Sequence, residues 1–263
     1  MSSAHTHSPA LAVVLVETAG PLNLGSIARL CANYEPQTLR LVNPRCNTSD
    51  PLAELMAVHG RSWLEQIEIF SSLAAAVADC VRVVACSGRI EAQEREHHSP
   101  QDALRWLLEP QKSAAAVALV FGREDHGLNN EELLLAGKLL RIPTGPNYPS
   151  LNLSHAVAIC LAEVQLHLQL QLERQGEKQQ PLEQQKTLVK SSAPIAAHGQ
   201  LEQTMLDGEA MLLEAGFLYP HTARARMAKL RQMMLRLEPT AEEVALLRGM
   251  FRQLRWAIGR NSG

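Results

Sequence analysis

The sequence predicts an α/β fold, with a mostly parallel β-sheet sandwiched between helices and a small all-helical C-terminal extension. Three observations carry this. Short apolar or β-branched runs alternate with helical patterns along the first two thirds of the chain. Strands covered on both faces read as continuous apolar runs, and crossovers through helices make neighbouring strands parallel. After Leu172 the composition turns Gln-, Lys- and Pro-rich, and from about Leu201 apolar residues return without strand patterns. Third, two turn-rich loops follow two successive late strands within Leu119–Asn152. Ligands bind at the carboxyl ends of strands in open sheets of this kind, so two unusual loops at such ends imply one shared site.

Taken in order, LAVVLV (Leu11–Val16) is a buried strand, and ETAGPLNLGS is a turn-forming stretch before a helix with Ile27, Leu30, Cys31 and Tyr34 on one face. TLRLV (Thr38–Val42) is the second strand and stops at Asn43-Pro44. Pro51–Val58 is helical, Ile67–Phe70 is a short strand, and Leu73–Ala78 is a compact Ala-rich helix. Val81–Ser87 is the next strand, and the polar loop GRIEAQEREHHSP after it carries His97-His98 as solvated residues. Gln101–Leu108 is helical, Ala115–Phe121 is the most hydrophobic strand, and Leu139–Ile142 is the last. A long helix starts near Ser150–Ser154 and runs to Leu172.

Domain limits follow from these shifts: a small polar tail at 1–9, a sheet domain at 10–172, a linker at 173–200 and a helical module at 201–263. In the module, LEQTMLDGEAMLLEAGF and TAEEVALLRGMFRQLRWAIG are helices, with Leu247, Phe251, Leu254 and Ile258 on one face. Thr240 followed by Glu243 makes a capping box. The formal charge of −2 excludes an argument for nucleic acid from bulk charge, so such a case must rest on local patches. Five cysteines form no CxxC pair and no zinc spacing, which predicts reduced thiols, no metal and a cytoplasmic protein. The longest apolar run, Ala114–Phe121, is too short for a membrane span.

Several motifs carry chemistry. NLGSIAR (Asn23–Arg29) is either a structural βα turn or a glycine turn that holds an anion on backbone N–H groups. It is no P-loop, since no GK[ST] follows, and GxGxxG is absent from the chain. Arg29 sits beside the expected site on an apolar helix, and its planar donors suit phosphate. Arg123 and Glu124 at a strand end either brace the loop as an ion pair or meet a ligand. Ser150 or Asn152 can cap the long helix, while PTGPNYP before it is too proline-rich for an ordinary turn. His126, between Asp125 and Gly127, has no nucleophile beside it and no GxSxG elbow elsewhere. Arg248, Arg252 and Arg255 form an acid-free stripe on the last helix, a pattern that leans toward phosphate contact.

NLGSIAR, LVFGREDHGL and IPTGPNYPSLNLSHAVA, in that order, resemble the SPOUT (α/β-knot) RNA methyltransferases over roughly Leu11–Leu172. With LVETAGPLNLGSIAR and the helical tail, the chain is similar to the TrmJ-type tRNA 2′-O-ribose methyltransferases, which act on nucleotide 32 of the anticodon loop. The resemblance implies a deep C-terminal trefoil knot, a homodimer, tRNA as partner and S-adenosylmethionine as cofactor. It implies cofactor contacts at Cys86, Ser87, Gly88, Gly122, Ile142, Pro149, Ser150 and Leu151. Arg29 matches the catalytic arginine, with Asn23, Glu124 and Asn152 in support, and RNA contacts are expected from Arg29, Arg89, Arg248, Arg252 and Arg255. A guanidinium is a poor base, so Arg29 is expected to clamp the target phosphate and stabilise the 2′ alkoxide. Where the family often has a second arginine two residues past the position of Arg89, this chain has Glu91, and Arg95 is the residue at hand to replace it. The competing readings are the same chemistry on another tRNA position or ribosomal RNA, and a non-catalytic knotted RNA-binding protein.

Overall fold

The computed structural model describes residues 9–88, 95–110, 115–177 and 194–261. Seven strands form one sheet: β1 (Ala10–Val16), β2 (Thr38–Val42), β3 (Glu68–Phe70), β4 (Cys80–Cys86), β5 (His97–His98), β6 (Ala116–Phe121) and β7 (Lys138–Leu140). Their order is β3-β2-β1-β6-β4-β7-β5, and every pairing is parallel. The central strands are buried on both faces. Leu11, Val13 and Leu15 of β1 join one core cluster while Ala12, Val14 and Val16 join the other, and β6 divides in the same way. This two-sided burial is why the strands read as unbroken apolar runs.

Helices α1 (Pro21–Tyr34), α2 (Pro51–Ala57), α3 (Arg61–Glu65), α5 (Pro100–Leu107) and α7 (Leu153–Glu177) accompany the sheet, as do the short α4 (Leu73–Ala76) and α6 (Asn130–Leu133). Helix α1 starts earlier than its apolar periodicity suggests, because Pro21 preorganises the first turn. NLGSIAR therefore lies inside α1 and is not a βα turn. Gly25 has a helical role instead: a Cβ there would lie 2.2 Å from the carbonyl oxygen of Ala53, so glycine lets α2 approach. The anion-turn alternative falls with it.

His97-His98 is also corrected. These residues form the edge strand β5 on β7 and are half-buried, which holds both imidazoles below their ordinary pKa through desolvation. Helix α7 continues to Glu177, past the expected linker start at 173, because ERQGE contains good helix formers. Its segment Leu153–Glu173 is long and apolar enough to cross a bilayer, a property the search for uninterrupted runs missed. Yet Val157, Cys160, Leu161 and Val164 pack into the core against α1 and α5.

The C-terminal module has three helices, α8 (His198–Glu214), α9 (Pro220–Leu237) and α10 (Ala241–Asn261), and begins a little before 201. Ile195 bridges Thr240, and the expected Thr240/Glu243 capping box is present. Leu247 and Phe251 face inward as expected, but Leu254 is exposed. One clamp fastens the module to the sheet. Arg82, 3% exposed and stacked over Trp106, donates from Nε to Glu238 Oε1 at 2.8 Å, and Trp106 Nε1 donates to the same oxygen at 2.9 Å.

Candidate functional site

Strands β4, β6 and β7 end around one cavity of about 340 Å³. Cys86, Ser87 and Gly88 line it from the end of β4, Gly122 from β6, Ile142 from β7, and Pro149, Ser150 and Leu151 from the following loop. All eight expected cofactor-contact residues thus face one space. Phe121, Leu153 and Ala156 add apolar wall, and Arg123–Gly127 supplies a polar rim. The volume and the mixture of apolar walls with few polar groups suit a small organic ligand.

The rim is stiff. Arg123 and Gly127 form a small antiparallel bridge, with Gly127 at a φ of 68°. A Cβ on Gly122 would lie 2.2 Å from the Gly127 carbonyl carbon, so only glycine permits this turn. Beneath it, Arg123 reaches both oxygens of Glu132 at 2.9 Å and also bonds Glu17. The Arg123 guanidinium, helped by Arg45, lowers the Glu17 carboxyl to about 2. Arg123 is therefore a brace that ties β1, β6 and α6. Behind the wall, the thiol of buried Cys160 is pushed well up by its contact with Cys86 and by burial.

Glu124 is oriented by three donors: the backbone N–H of Ala19 at 3.1 Å, that of Gly20 at 3.0 Å and Asn23 Nδ2 at 3.1 Å. Asn23 Oδ1 accepts from Asn152 Nδ2 at 2.9 Å, and Asn152 Oδ1 accepts from Ser154 N and Oγ, which caps α7. The structure thus brings Asn23, Glu124 and Asn152 together. Of these only Glu124 lines the cavity.

Arg29 stands apart. It lies six residues beyond Asn23, about 240° around α1, is exposed and does not line the cavity. It has no hydrogen-bond or ion-pair partner among the described residues, so its charge is free.

Arg89 and Glu91 lie outside the described residues. Arg95 does not replace a loop arginine: it donates to the carbonyls of Leu133 and Ala136 at 2.6 and 2.7 Å and caps α6. The stripe on α10 is corrected as well. Arg248 pairs with Asp207 at 2.7 Å, Arg252 with Asp207 at 3.4 Å and Arg255 with Glu214 at 2.6 Å. Along the sequence the stripe is acid-free, but α8 brings its carboxylates across. Solvent-exposed pairs contribute little to stability, so they set the α8–α10 register more than its strength. Lys229 and Arg236 on α9 are exposed cations without such pairing among the described residues. Among the described residues no three His, Cys, Asp or Glu side chains cluster as a metal site.

Asp125 and His126 are among the lining residues that motif reading did not assign to the site. Their place in the same strand-end turn as Gly122 was the available signal.

The model of the SpoU rRNA methylase family matches residues 10–162, and that of the C-terminal domain of tRNA methyltransferase TrmJ matches residues 201–262. The tRNA (cytidine/uridine-2′-O-)-methyltransferase TrmJ of Klebsiella pneumoniae is 34% identical over 239 residues, covering 90% of this chain and 93% of that protein. The tRNA (cytidine-2′-O-)-methyltransferase TrmJ of Methanocaldococcus jannaschii is 36% identical over 157 residues, 59% of this chain and 66% of the relative. Among solved structures, TrmJ from Z. mobilis ZM4 superposes with a TM-score of 0.75 at 26% identity, covering 92% of this chain and 98% of that one. A probable methylase family protein from Haemophilus influenzae Rd KW20 gives 0.59 at 26% identity, with 96% and 99% covered.

Proposed function

The chain belongs to the SpoU rRNA methylase family, and on that premise we propose that it methylates the ribose 2′-oxygen of tRNA, at cytidine or uridine 32 of the anticodon loop. The observation that carries this reading is the cavity at the ends of β4, β6 and β7, walled by all eight residues that the family motifs single out. The relatives named for cytidine and uridine 2′-O-methylation support the substrate class.

S-adenosylmethionine fits the residues present. Ile142, Leu151, Leu153 and Pro149 offer an apolar slot for a purine, the turns at Ser87-Gly88 and Ser150-Leu151 offer backbone groups, and Glu124 and Asp125 place negative charge at the rim. When bound there it would supply an electrophilic methyl group on a positively charged sulfur. The chain's own share is positional. The Glu124–Asn23–Asn152 chain holds the cofactor loop against α1. Arg29, with its unspent donors, would clamp the target phosphate and stabilise negative charge that develops on the 2′-oxygen.

A homodimer accounts for two further observations. Ile159, Leu166 and Leu170 make one exposed apolar stripe on the outer face of α7, and Leu22 is exposed on the neighbouring α1. Arg29 has no place in its own cavity, and a second copy against this surface would let it serve its partner's. The same reading includes the family's knot, which one contact supports: Asn152, beyond β7, reaches Asn23, beyond β1, although β4 and β6 lie between those strands in the sheet. Lys229 and Arg236, with Arg29, are exposed cations with no carboxylate to give up among the described residues and so are free to meet tRNA phosphates; Arg248, Arg252 and Arg255 would have to exchange carboxylates for phosphates to join them.

The test is mass spectrometry of tRNA after incubation with the purified chain and S-adenosylmethionine, and of tRNA from a strain that lacks the gene. The reading requires 2′-O-methylcytidine or 2′-O-methyluridine at position 32 in the first and its loss in the second. Methyl transfer to ribosomal RNA alone, or none, sinks it.

A further inference from the structure

The cavity rim holds a pair whose histidine cofactor binding does not use. Asp125 and His126 sit at the tip of the Gly122–Gly127 turn, and both line the cavity. His126 Nδ1 lies 2.5 Å from Asp125 Oδ1, and the imidazole is about half exposed, at 44%. Its Nε2 has no hydrogen-bond partner among the described residues. A carboxylate this close to Nδ1 favours the tautomer that keeps the proton there and leaves the Nε2 lone pair free. The turn beneath is rigid for the reasons given above, so the pair is held at the cavity mouth.

Methyl transfer to a hydroxyl needs a proton acceptor, and the other rim groups serve poorly. A guanidinium such as Arg29 is already protonated. Glu124 has its oxygens occupied by Ala19 N, Gly20 N and Asn23 Nδ2. A carboxylate is in general a weaker base than an imidazole. His126 is the only histidine that lines the cavity among the described residues: His155 is exposed on α7, His97 and His98 belong to β5, and His198 is buried under the C-terminal module.

Resting on the 2′-O-methyltransferase reading, we propose that His126 accepts the proton of the ribose 2′-hydroxyl, with Asp125 as its positioning residue. The O–H bond breaks and its proton passes to Nε2. The oxygen forms a bond to the methyl carbon of the sulfonium donor, whose carbon–sulfur bond breaks with the electron pair left on sulfur. Imidazolium, 2′-O-methyl ribose and a neutral thioether result, so charge and atoms balance.

Three measurements on the full-length chain test this. Nitrogen-15 NMR of the ligand-free protein should find neutral His126 as the Nδ1–H tautomer, and D125N should disturb that preference. His126→Ala should bind S-adenosylmethionine and tRNA within about threefold of wild type, yet transfer methyl about a hundredfold or more slowly in a single turnover. The wild-type rate should rise with pH along an acid limb of slope about one; that limb should vanish in H126A, and added imidazole should restore part of the rate. A rate for H126A within about threefold of wild type, a persistent acid limb, or an Nε2–H tautomer overturns the proposal. If H126A loses cofactor binding in step with rate, His126 is a binding residue and the proposal also fails. A wild-type chain that methylates no tRNA overturns the reading it rests on and the proposal together; an active wild type beside an undiminished H126A overturns His126 alone.

Discussion

Asn152 donates from Nδ2 to Asn23 Oδ1 at 2.9 Å, across 129 positions of sequence. Asn23 passes the connection on, donating its own Nδ2 to Glu124 Oε1 at 3.1 Å. One amide therefore accepts on one side and donates on the other, and no carboxylate can do both. The N-termini of α1 and α7 and the turn after β6 are held by this chain of polar groups.

Asn23→Asp should break that chain at its middle. The new carboxylate has no proton for Glu124 and places two negative charges in contact, while the bond from Asn152 survives. Since Asn23 is not in the cavity wall, the effect should reach the cofactor through loop position. Cofactor affinity should fall about tenfold, which is about 1.4 kcal/mol. Titration calorimetry reads this directly, and unchanged affinity would show that the network does not position the loop.

Arg29→Lys separates charge from geometry. A lysine keeps the positive charge but loses the planar fork. Arg29 lies outside the cavity lining, so S-adenosylmethionine binding should be unaltered. Single-turnover methyl transfer should drop by about tenfold or more if the fork stabilises developing charge on the 2′-oxygen. Near-full turnover with unchanged tRNA affinity would rule the clamp out.

Legibility in the sequence followed the range of each interaction. Strands such as Ala116–Phe121 were readable because burial on both faces leaves a local, unbroken apolar run. The cavity wall was readable because it consists of loops that follow those strands. What failed was contributed from a distance. The arginines of α10 look unpaired until α8 supplies Asp207 and Glu214, and the His97-His98 edge strand exists only because β7 offers it a partner. Gly25 looks like a turn residue until Ala53 is packed against it. The Asp125–His126 contact was local, but its position on a cavity was not visible without the fold.

Glu238→Gln tests the clamp between module and sheet. Glu238 takes Arg82 Nε and Trp106 Nε1 on one oxygen, and Arg82 Nη2 lies 3.2 Å from the other. Glutamine preserves shape but turns an amide toward a guanidinium that is almost fully buried. Arg82 keeps Glu109 at 2.9 Å, so the loss should stay below that of a wholly unpaired buried charge, at about 2 kcal/mol. Denaturant unfolding measures it. A change under about 0.5 kcal/mol would mean that other ties, such as Gly199 N–H on the Ala78 carbonyl and Gln232 on that of Leu134, hold the module.

His198 gives the module joint a pH dependence of defined sign. It is 3% exposed at the start of α8, and its Nδ1 is buried without a partner, so desolvation lowers its pKa from 6.5 to about 4. Nearby Glu202 works against that shift and Arg231 with it. Because folding depresses the pKa of a base, the unfolded chain binds the extra proton between about 6.5 and 4. Stability is therefore full above 6.5, falls as pH drops through that window and levels off below about 4. At about 1.4 kcal/mol per unit, the loss over this window is about 3.5 kcal/mol. The Glu17 carboxyl, held at about 2, loses its contribution only as pH falls from about 4.5, so the two effects separate above that point. His198→Leu removes the titrating group and the orphaned nitrogen together. It should reduce the slope of the stability profile between pH 6.5 and 4.5 to the part that His97 and His98 contribute, and leave stability at pH 7.5 equal or higher. A variant whose profile keeps the wild-type slope in that window would place the titration elsewhere.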